Sequence, residues 1–441
     1  MLFSKKIKVM MKKSILRNKK SFSNFILVLI LIIAFQNYSY ASYSQIDNDT
    51  IGFNQYKGKV IDSKTRKALV FASLTVNETN ISTITNSQGK FILKVPKKYS
   101  NNRITISFLG YTSKVINLQD FDKNKIVIKL ETYIEELSEI KIQIKDAKSL
   151  VREMLKRKGA NYFNSPTTMT AFYRETIKKR RNYVSLSEAV IEINKQPYLS
   201  NRNDLLKLHK ARKSTDYTKL DTITLKLKGG PSSTVSIDIM KNTSLFFGDQ
   251  IFENYDFYFD TSTKIDDRPI YVVNFNQKST IKDPLYYGKL YIDANSLALT
   301  SAKFQLNLDN KKEASKLFIV KKPRKANVLP TEAAYQINYR VKDGKWYFSY
   351  SRIQLGFKID YDKRLFNSVY NLTMEMAITD WKKNSNGNTI KQKERLKASV
   401  ILNDKASGFS DPEFWGEYNV IEPEKPIESA IKKIKKQLKK I

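Results

Sequence analysis

From Thr167 to about Leu402 the apolar residues recur at every second position, and that period limits what the chain can become. Val184/Leu186, Ala189/Ile191/Ile193, Tyr271/Val273/Phe275 and Leu290/Ile292 each put alternate side chains on one face, as a half-buried strand does. Turn residues separate them at Gly229-Gly230-Pro231, Asp266-Asp267-Arg268-Pro269 and Asp293-Ala294-Asn295-Ser296. Val235/Ile237/Ile239 reads as a strand resuming after the Gly-Gly-Pro turn. Val369 to Ile378 reads as one arm of a pair with Leu396 to Leu402. The sharpest hairpin joins Tyr335/Ile337/Tyr339/Val341 to Trp346/Phe348/Tyr350 through Asp343-Gly344, a type I′ signal. The apolar set then passes from even to odd numbers at Ile353/Leu355/Phe357/Ile359. A period of two cannot change parity without an inserted residue, so a β-bulge is expected near Ser351-Arg352. Long strands in successive hairpins predict a mainly β chain with one large, curved antiparallel sheet or half-barrel. A few helices must cover its apolar face.

Shorter strands precede this region. Val60, Leu74/Val76, Phe91/Leu93/Val95 and Ile104/Ile106/Phe108 alternate around turns such as Ser87-Gln88-Gly89, which predicts a small antiparallel β-sandwich over residues 57–130. Residues 131–145 read as a linker strand with a solvated acidic face. Residues 146–160 read as an amphipathic helix capped by Asp146, with Ala147, Leu150, Val151, Met154 and Leu155 on one stripe and Gly159 as its stop. The large β domain then takes residues 161–410. A tail, 411–441, opens on Asp411-Pro412-Glu413-Phe414-Trp415 and ends in a helix striped by Ile427, Ala430, Ile431, Ile434, Leu438 and Ile441. That helix is expected to dock on the sheet. Its lysines Lys435, Lys436, Lys439 and Lys440 alternatively allow a peripheral contact with anionic lipid.

The first 41 residues carry eight Lys/Arg and no acid, then an apolar run from Phe25 to Phe35, then Ser39-Tyr40-Ala41. Eleven apolar residues are too few to span a bilayer, which takes about 20, and the small residues fit a signal-peptidase site. A signal peptide over 1–41 and a flexible lead over 42–56 are therefore expected, with no transmembrane span in the mature chain. The absence of cysteine excludes disulfides, thiolate metal sites and a lipid-bearing cysteine. The net charge of +35 is spread along the chain rather than clustered, which reads as a lysine-rich composition and not as a nucleic-acid surface.

The order Gly58-x-Val60-x-Asp62, Thr65, Ala72-Ser73, Thr85-Asn86-x-x-Gly89-x-Phe91, Ser107-Phe108-x-Gly110-Tyr111 resembles the carboxypeptidase-regulatory-like domain. The resemblance implies a transthyretin-like sandwich of the kind that also precedes many TonB-dependent receptors of Bacteroidetes. It departs from the common pattern at Asn86, where Asp is usual, which speaks against a cation at that turn, and at Lys67. Beyond the sandwich, several stretches are similar to Bacteroidetes envelope proteins described only as carboxypeptidase-like regulatory domain-containing. These are Ala171-Phe172-Tyr173-Arg174-Glu175, Ser187-Glu188-Ala189-Val190 and Gly344-Lys345-Trp346-Tyr347. The Gly288-Lys289-Leu290-Tyr291-Ile292-Asp293 element is also similar to lipoprotein-carrier folds of the LolA kind.

No catalytic, cofactor or metal residue is assigned. A zinc peptidase needs His-x-x-Glu, and the sole histidine, His209, has no Glu three residues on. Arg174 and Glu175 must face opposite sides of a strand, so one of them needs a partner on the apolar side, with Glu188 as the candidate; the trio is read either as a register-fixing ion pair or as a ligand-orienting one. Tyr287, Tyr291, Trp346 and Phe348 are candidate lining for an aromatic pocket. The leading expectation is a non-enzymatic exported protein of the periplasm or outer-membrane periphery. It would act as an interaction or scaffold module with a cradle for an apolar ligand and an envelope protein or lipid as partner. The alternatives are a carrier for lipid or outer-membrane cargo, and a hydrolase in which Glu175, Glu188 or two other carboxylates converge. An integral outer-membrane barrel is disfavoured by lysines such as Lys226/Lys228 on an outward face.

Overall fold

The computed structural model describes residues 52–121, 126–133, 146–215, 226–227, 230–265, 267–321, 326–361, 367–385, 387, 389–396, 414–424, 427 and 429. The expected signal, nearly all of the lead, the linker from 134 to 145, the strand segment from 397 to 402 and the final helix past Ile427 fall outside the described residues.

Seven strands form the small module: β1 (Phe53–Asp62), β2 (Ser73–Val76), β3 (Ser82–Ile84), β4 (Lys90–Pro96), β5 (Arg103–Ser107), β6 (Lys114–Asn117) and β7 (Ile126–Leu130). They lie in two sheets, ordered β4-β1-β7 and β3-β2-β5-β6. Leu74, Val76, Phe91, Leu93, Ile104 and Ile106 are fully buried between them. Each contributes about 1.5–3 kcal/mol of transfer free energy. The expected sandwich is present, with two differences. β1 starts at Phe53, inside the expected lead, and β7 runs parallel to β1 because the chain crosses between the sheets after β6. The motif residues are structural. A Cβ on Gly58 would lie 2.6 Å from the Ile126 carbonyl oxygen and 2.7 Å from the Phe91 ring, so only glycine lets these strands close. Asp62 accepts the backbone N–H of Lys64 and of Thr65, and the Tyr111 hydroxyl at 2.7 Å. These bonds, led by that from Thr65, hold its carboxyl at about 2.

The second module begins with α1 (Ala147–Lys156) and α2 (Lys158–Asn161), followed by β8 (Thr167–Lys179), β9 (Asn182–Lys195), β10 (Leu205–Thr215) and the short β11 (Lys226–Leu227). Next come α3 (Pro231–Ser236), α4 (Thr243–Phe247) and α5 (Asp249–Phe252). They are followed by β12 (Tyr255–Ile265), β13 (Arg268–Gln277), β14 (Tyr286–Asp293) and β15 (Leu299–Leu306). The described elements close with α6 (Lys311–Phe318), β16 (Ile319–Lys321), β17 (Ala326–Lys342), β18 (Lys345–Tyr361) and β19 (Ser368–Lys383). Ten of these strands make one antiparallel sheet in the order β10-β9-β8-β19-β18-β17-β15-β14-β13-β12. The fold is therefore mainly β, as the alternation requires.

One face of the large sheet carries the main core, in which Phe246 and Phe247 of α4 and Phe252 of α5 join Tyr255, Phe275 and Phe304 of the sheet. Asp146 caps α1 as expected, accepting the Ser149 N–H at 2.8 Å, and Leu150, Val151 and Met154 are buried. Gly159 does not stop this helix. The chain turns at Arg157 and makes a second helical turn, α2, that contains Gly159.

Three other expectations are corrected. Val235/Ile237/Ile239 is not a strand: Pro231 sits in the first turn of α3, where its missing N–H costs nothing, and Val235 is helical. β18 and β8 occupy the two edges of β19, and Leu396, the described residue of the expected partner segment, donates its N–H to the Leu206 carbonyl on β10 at 2.7 Å instead. The bulge in β18 exists but lies at Ser349, since Asn338 faces Tyr350 while Tyr339 faces Phe348. Tyr350 therefore points away from Trp346 and Phe348 and belongs to a separate cluster on the outer face. The hairpin at Asp343-Gly344 forms as predicted, with both residues at positive φ.

Candidate functional site

The outer face of the large sheet carries a row of charge. Arg352, Glu375, Arg174, Glu188 and Arg212 are successive register partners on β18, β19, β8, β9 and β10. Signs alternate along the row, which antiparallel neighbours about 5 Å apart favour. Its centre is dry: Arg174 is 2 % exposed and Glu188 0 %. Arg174 Nε donates to Glu188 Oε1 at 2.7 Å and its Nη2 to the Ile421 carbonyl at 2.6 Å. Arg212 Nε donates to the other carboxylate oxygen at 2.8 Å. Burial opposes the charge on Glu188, but Arg174 and then Arg212 outweigh it and hold the carboxyl below its usual range. At the other end Arg352 lies 3.3 Å from Glu375 and over the Phe71 ring, which stacks on Tyr350.

Glu175 points to the opposite face. There it accepts the Tyr173 hydroxyl at 2.7 Å, and burial raises its carboxyl above the usual range. Glu175 and Glu188 thus do not converge, and the carboxylate pair expected of a hydrolase is not formed by them.

The row meets the tail and the sandwich. Trp415 packs edge-on to Phe172, and Arg212 lies over Trp415. The Asn419 side chain imitates a strand: its Oδ1 accepts the Lys94 N–H at 2.6 Å and its Nδ2 donates to the Lys94 carbonyl at 2.9 Å. Asn86 donates from Nδ2 to the Glu422 carbonyl at 2.9 Å, which the more usual aspartate could not do. Ser82 and Asn80 reach the carbonyls of Ile378 and Trp381 on β19. A second anchor lies at the far side of the sheet, where Gly110 N–H donates to the Lys264 carbonyl on β12 at 2.7 Å.

Between the anchors a cleft of about 400 Å³ opens. Its roof is the polar face of β2 and β5, where Ser73 faces Ser107 and Thr75 faces Thr105. Its floor is the outer face of β15, β17 and β18, with Ser301 and Asn338 at the centre and Lys303, Arg340 and Lys342 as cations. Arg340 Nη1 is buried and has no hydrogen-bond partner among the described residues.

The aromatic residues expected to share a pocket do not. Trp346 and Phe348 are buried in the main core, whereas Tyr287 and Tyr291 lie on the outer face of β14, Tyr287 being 39 % exposed and bonded to Gln305. β14 puts Leu290 and Ile292 inward, so its odd positions must point out. His209 lies on the edge strand β10, 2.7 Å from the Tyr418 hydroxyl. Sequence reading missed Arg212, Glu375 and Arg352. Their only signal is a charged residue at an alternating position, which matters once register is known. Among the described residues no group of His, Asp or Glu could hold a metal ion, and no helix is long and apolar enough to cross a membrane.

No curated protein matches the chain. Several solved structures are distantly similar, three of them as follows. A DUF1329 family protein from Desulfovibrio piger shares 10 % identity at a TM-score of 0.25, over 55 % of this chain and 95 % of that one. Lipovitellin shares 9 % at 0.26, over 57 % and 28 %. A LolA superfamily protein from Nitrosomonas europaea shares 10 % at 0.21, over 58 % and 99 %. Superpositions this loose carry no argument about function. A family match covers part of the chain: residues 56–142 carry a CarboxypepD_reg-like domain.

Proposed function

We propose that this protein is a non-enzymatic, exported binding protein of the cell envelope, in which the sandwich and the large sheet form the two walls of one receptor. The observation that carries the reading is the double anchoring of the sandwich. The tail and β19 hold one side and β12 holds the other, so the cleft between them is preformed and does not depend on a hinge. Clefts between modules are common ligand sites. The hydroxyl-lined roof and the cationic floor suit an extended, hydroxyl-rich ligand or partner segment that carries an anionic group. The buried, unpaired Arg340 nitrogen is the natural seat for that group. The leader pattern over residues 1–41 supports export.

A cradle for apolar cargo is less well supported. The face that would hold acyl chains is packed, among the described residues, by ring-to-ring contacts such as Phe252 on Phe257 at 4.9 Å and Phe247 on Phe275 at 5.5 Å.

Native mass spectrometry of the protein taken from its own envelope fraction tests the reading. A bound molecule or partner, lost when Asn338→Trp fills the cleft floor, is the expected result. A wild-type protein that emerges bare, or a variant that keeps its passenger, overturns it.

A further inference from the structure

The interior of the large module holds a second polar cluster that the receptor reading does not use. Lys195, the last residue of β9, is 2 % exposed. Its Nζ lies 2.6 Å from Asp238 Oδ2 and 2.7 Å from Asp204 Oδ2. The rings of Tyr198 and Phe348 flank the nitrogen, with centroids at 5.1 and 5.5 Å. The two carboxylates are held differently. Asp238 Oδ1 accepts the Tyr339 hydroxyl at 2.8 Å and the Lys241 N–H at 3.1 Å. Asp204 Oδ1 accepts the Gln196 N–H at 2.8 Å. Burial, and then Asp238, keep the Tyr339 phenol protonated, so it remains a donor.

This is the arrangement that acyl transfer to an amine requires. One oxygen of Asp238 is polarised by two donors, as a carbonyl is in an oxyanion hole. Its other oxygen faces the amine and is free to leave. A second carboxylate lies within proton-transfer distance of the same nitrogen. Burial opposes the Lys195 charge, but Asp204 and then Asp238 outweigh it and hold the ammonium above its usual range, and amide formation removes that charge together with one carboxylate. Fixed positions inside a folded chain also supply the effective concentration that makes amide formation competitive. The chain has no cysteine, so any covalent cross-link must use other side chains.

From this geometry we infer that Lys195 and Asp238 join in an intramolecular isopeptide bond, with Asp204 as the proton shuttle. Asp204 takes a proton from the Lys195 ammonium and hands it to Oδ2 of Asp238, and the neutral amine then attacks Cγ of the neutral acid, forming the N–C bond. The developing oxyanion sits on Oδ1, between Tyr339 and the Lys241 N–H. The C–Oδ2 bond then breaks, and Oδ2 departs as water with two of the three ammonium protons, one of them returned by Asp204. One positive and one negative charge disappear, Asp204 is regenerated, and no oxidant or cofactor is consumed. The bond ties the end of β9 to the segment that follows α3 and so fixes the cover over the inner face of the sheet.

Intact-mass measurement of the purified full chain under denaturing conditions decides the matter, followed by digestion and fragmentation of the Lys195 peptide. The expected result is a chain lighter than its sequence by one water, with Lys195 and Asp238 in a single branched peptide. Asp204→Asn and Lys195→Met are expected at their unmodified masses. Wild-type protein at its full encoded mass, with the two residues on separate peptides, overturns the inference whether or not the variants fold. A cross-link that persists in Asp204→Asn overturns the role given to Asp204.

Discussion

Glu188→Gln is the most informative single change, because it removes one charge from the middle of the row and little else. The glutamine keeps the volume and one acceptor. It loses the charge that both Arg174 and Arg212 face, at 2.7 Å in each case. The two arginines will not suffer equally. The Arg212 side chain is 14 % exposed and can recover water, whereas that of Arg174 is 3 % exposed and cannot. One uncompensated buried guanidinium costs about 3–5 kcal/mol. The lower end applies here, because the Ile421 carbonyl still accepts from Arg174. A loss of about 3 kcal/mol lowers the melting temperature by roughly 6 °C, taking about 2 °C per kcal/mol for a unit of this size. The sign with pH follows from linkage. The folded carboxyl titrates below the unfolded one, so its stabilisation is complete above about pH 4.3 and is lost as pH falls through the folded value. Wild type and variant should differ most near neutrality and converge in acid. Thermal and urea unfolding across that range provide the test. A difference below about 1 kcal/mol at neutral pH, or one that grows in acid, would refute the assignment of Glu188 as the charge that holds the row together.

Glu175 should behave in the opposite way. Its folded carboxyl is raised, so wild-type protein loses stability as pH rises past the ordinary carboxylate value, while Glu175→Gln does not; the variant should unfold at higher urea than wild type at about pH 8 and match it near pH 4. Asn419→Ala strips both partners from the Lys94 backbone and should cost about 2–4 kcal/mol at that contact, taking about 1–2 for each group left unpaired. Hydrogen exchange should then accelerate at Lys94 and along β4 while β17 and β18 keep their protection; unchanged exchange at Lys94 would contradict the clamp.

The strand-built character of the chain and most turns are legible from alternation, because each strand of the large sheet has one face in the main core. Legibility fails where both faces are covered. Tyr350 looks like a continuation of Trp346 and Phe348, and only the packing of Phe71 against it shows that the bulge lies at Ser349, before it. A short apolar alternation such as Val235/Ile237/Ile239 is compatible with a helix and a turn, and Pro231 is the residue that decides between them. The partnership of Arg174 with Glu188 follows from strand polarity and a neighbouring hairpin arm. Glu375 needs the strand order, which puts β19 beside β8 although almost two hundred residues separate them, and Arg212 needs the β9–β10 register, which shifts between Leu208 and Lys210. The Lys195 cluster leaves no local trace, since its members come from a strand end, a loop and a turn.

The clasp made by Asn419 has a consequence for how the molecule is put together. The sandwich is synthesised early, yet the residues that secure one of its flanks lie 325 positions downstream. Until those residues emerge, that flank has the bonds of Asn80 and Ser82 to β19 but not the Asn419 clasp. Completion of that flank is therefore among the last events in the life of a nascent chain, and a ribosome that stops shortly before Trp415 would release a chain whose sandwich rests on the β19 and β12 anchors alone.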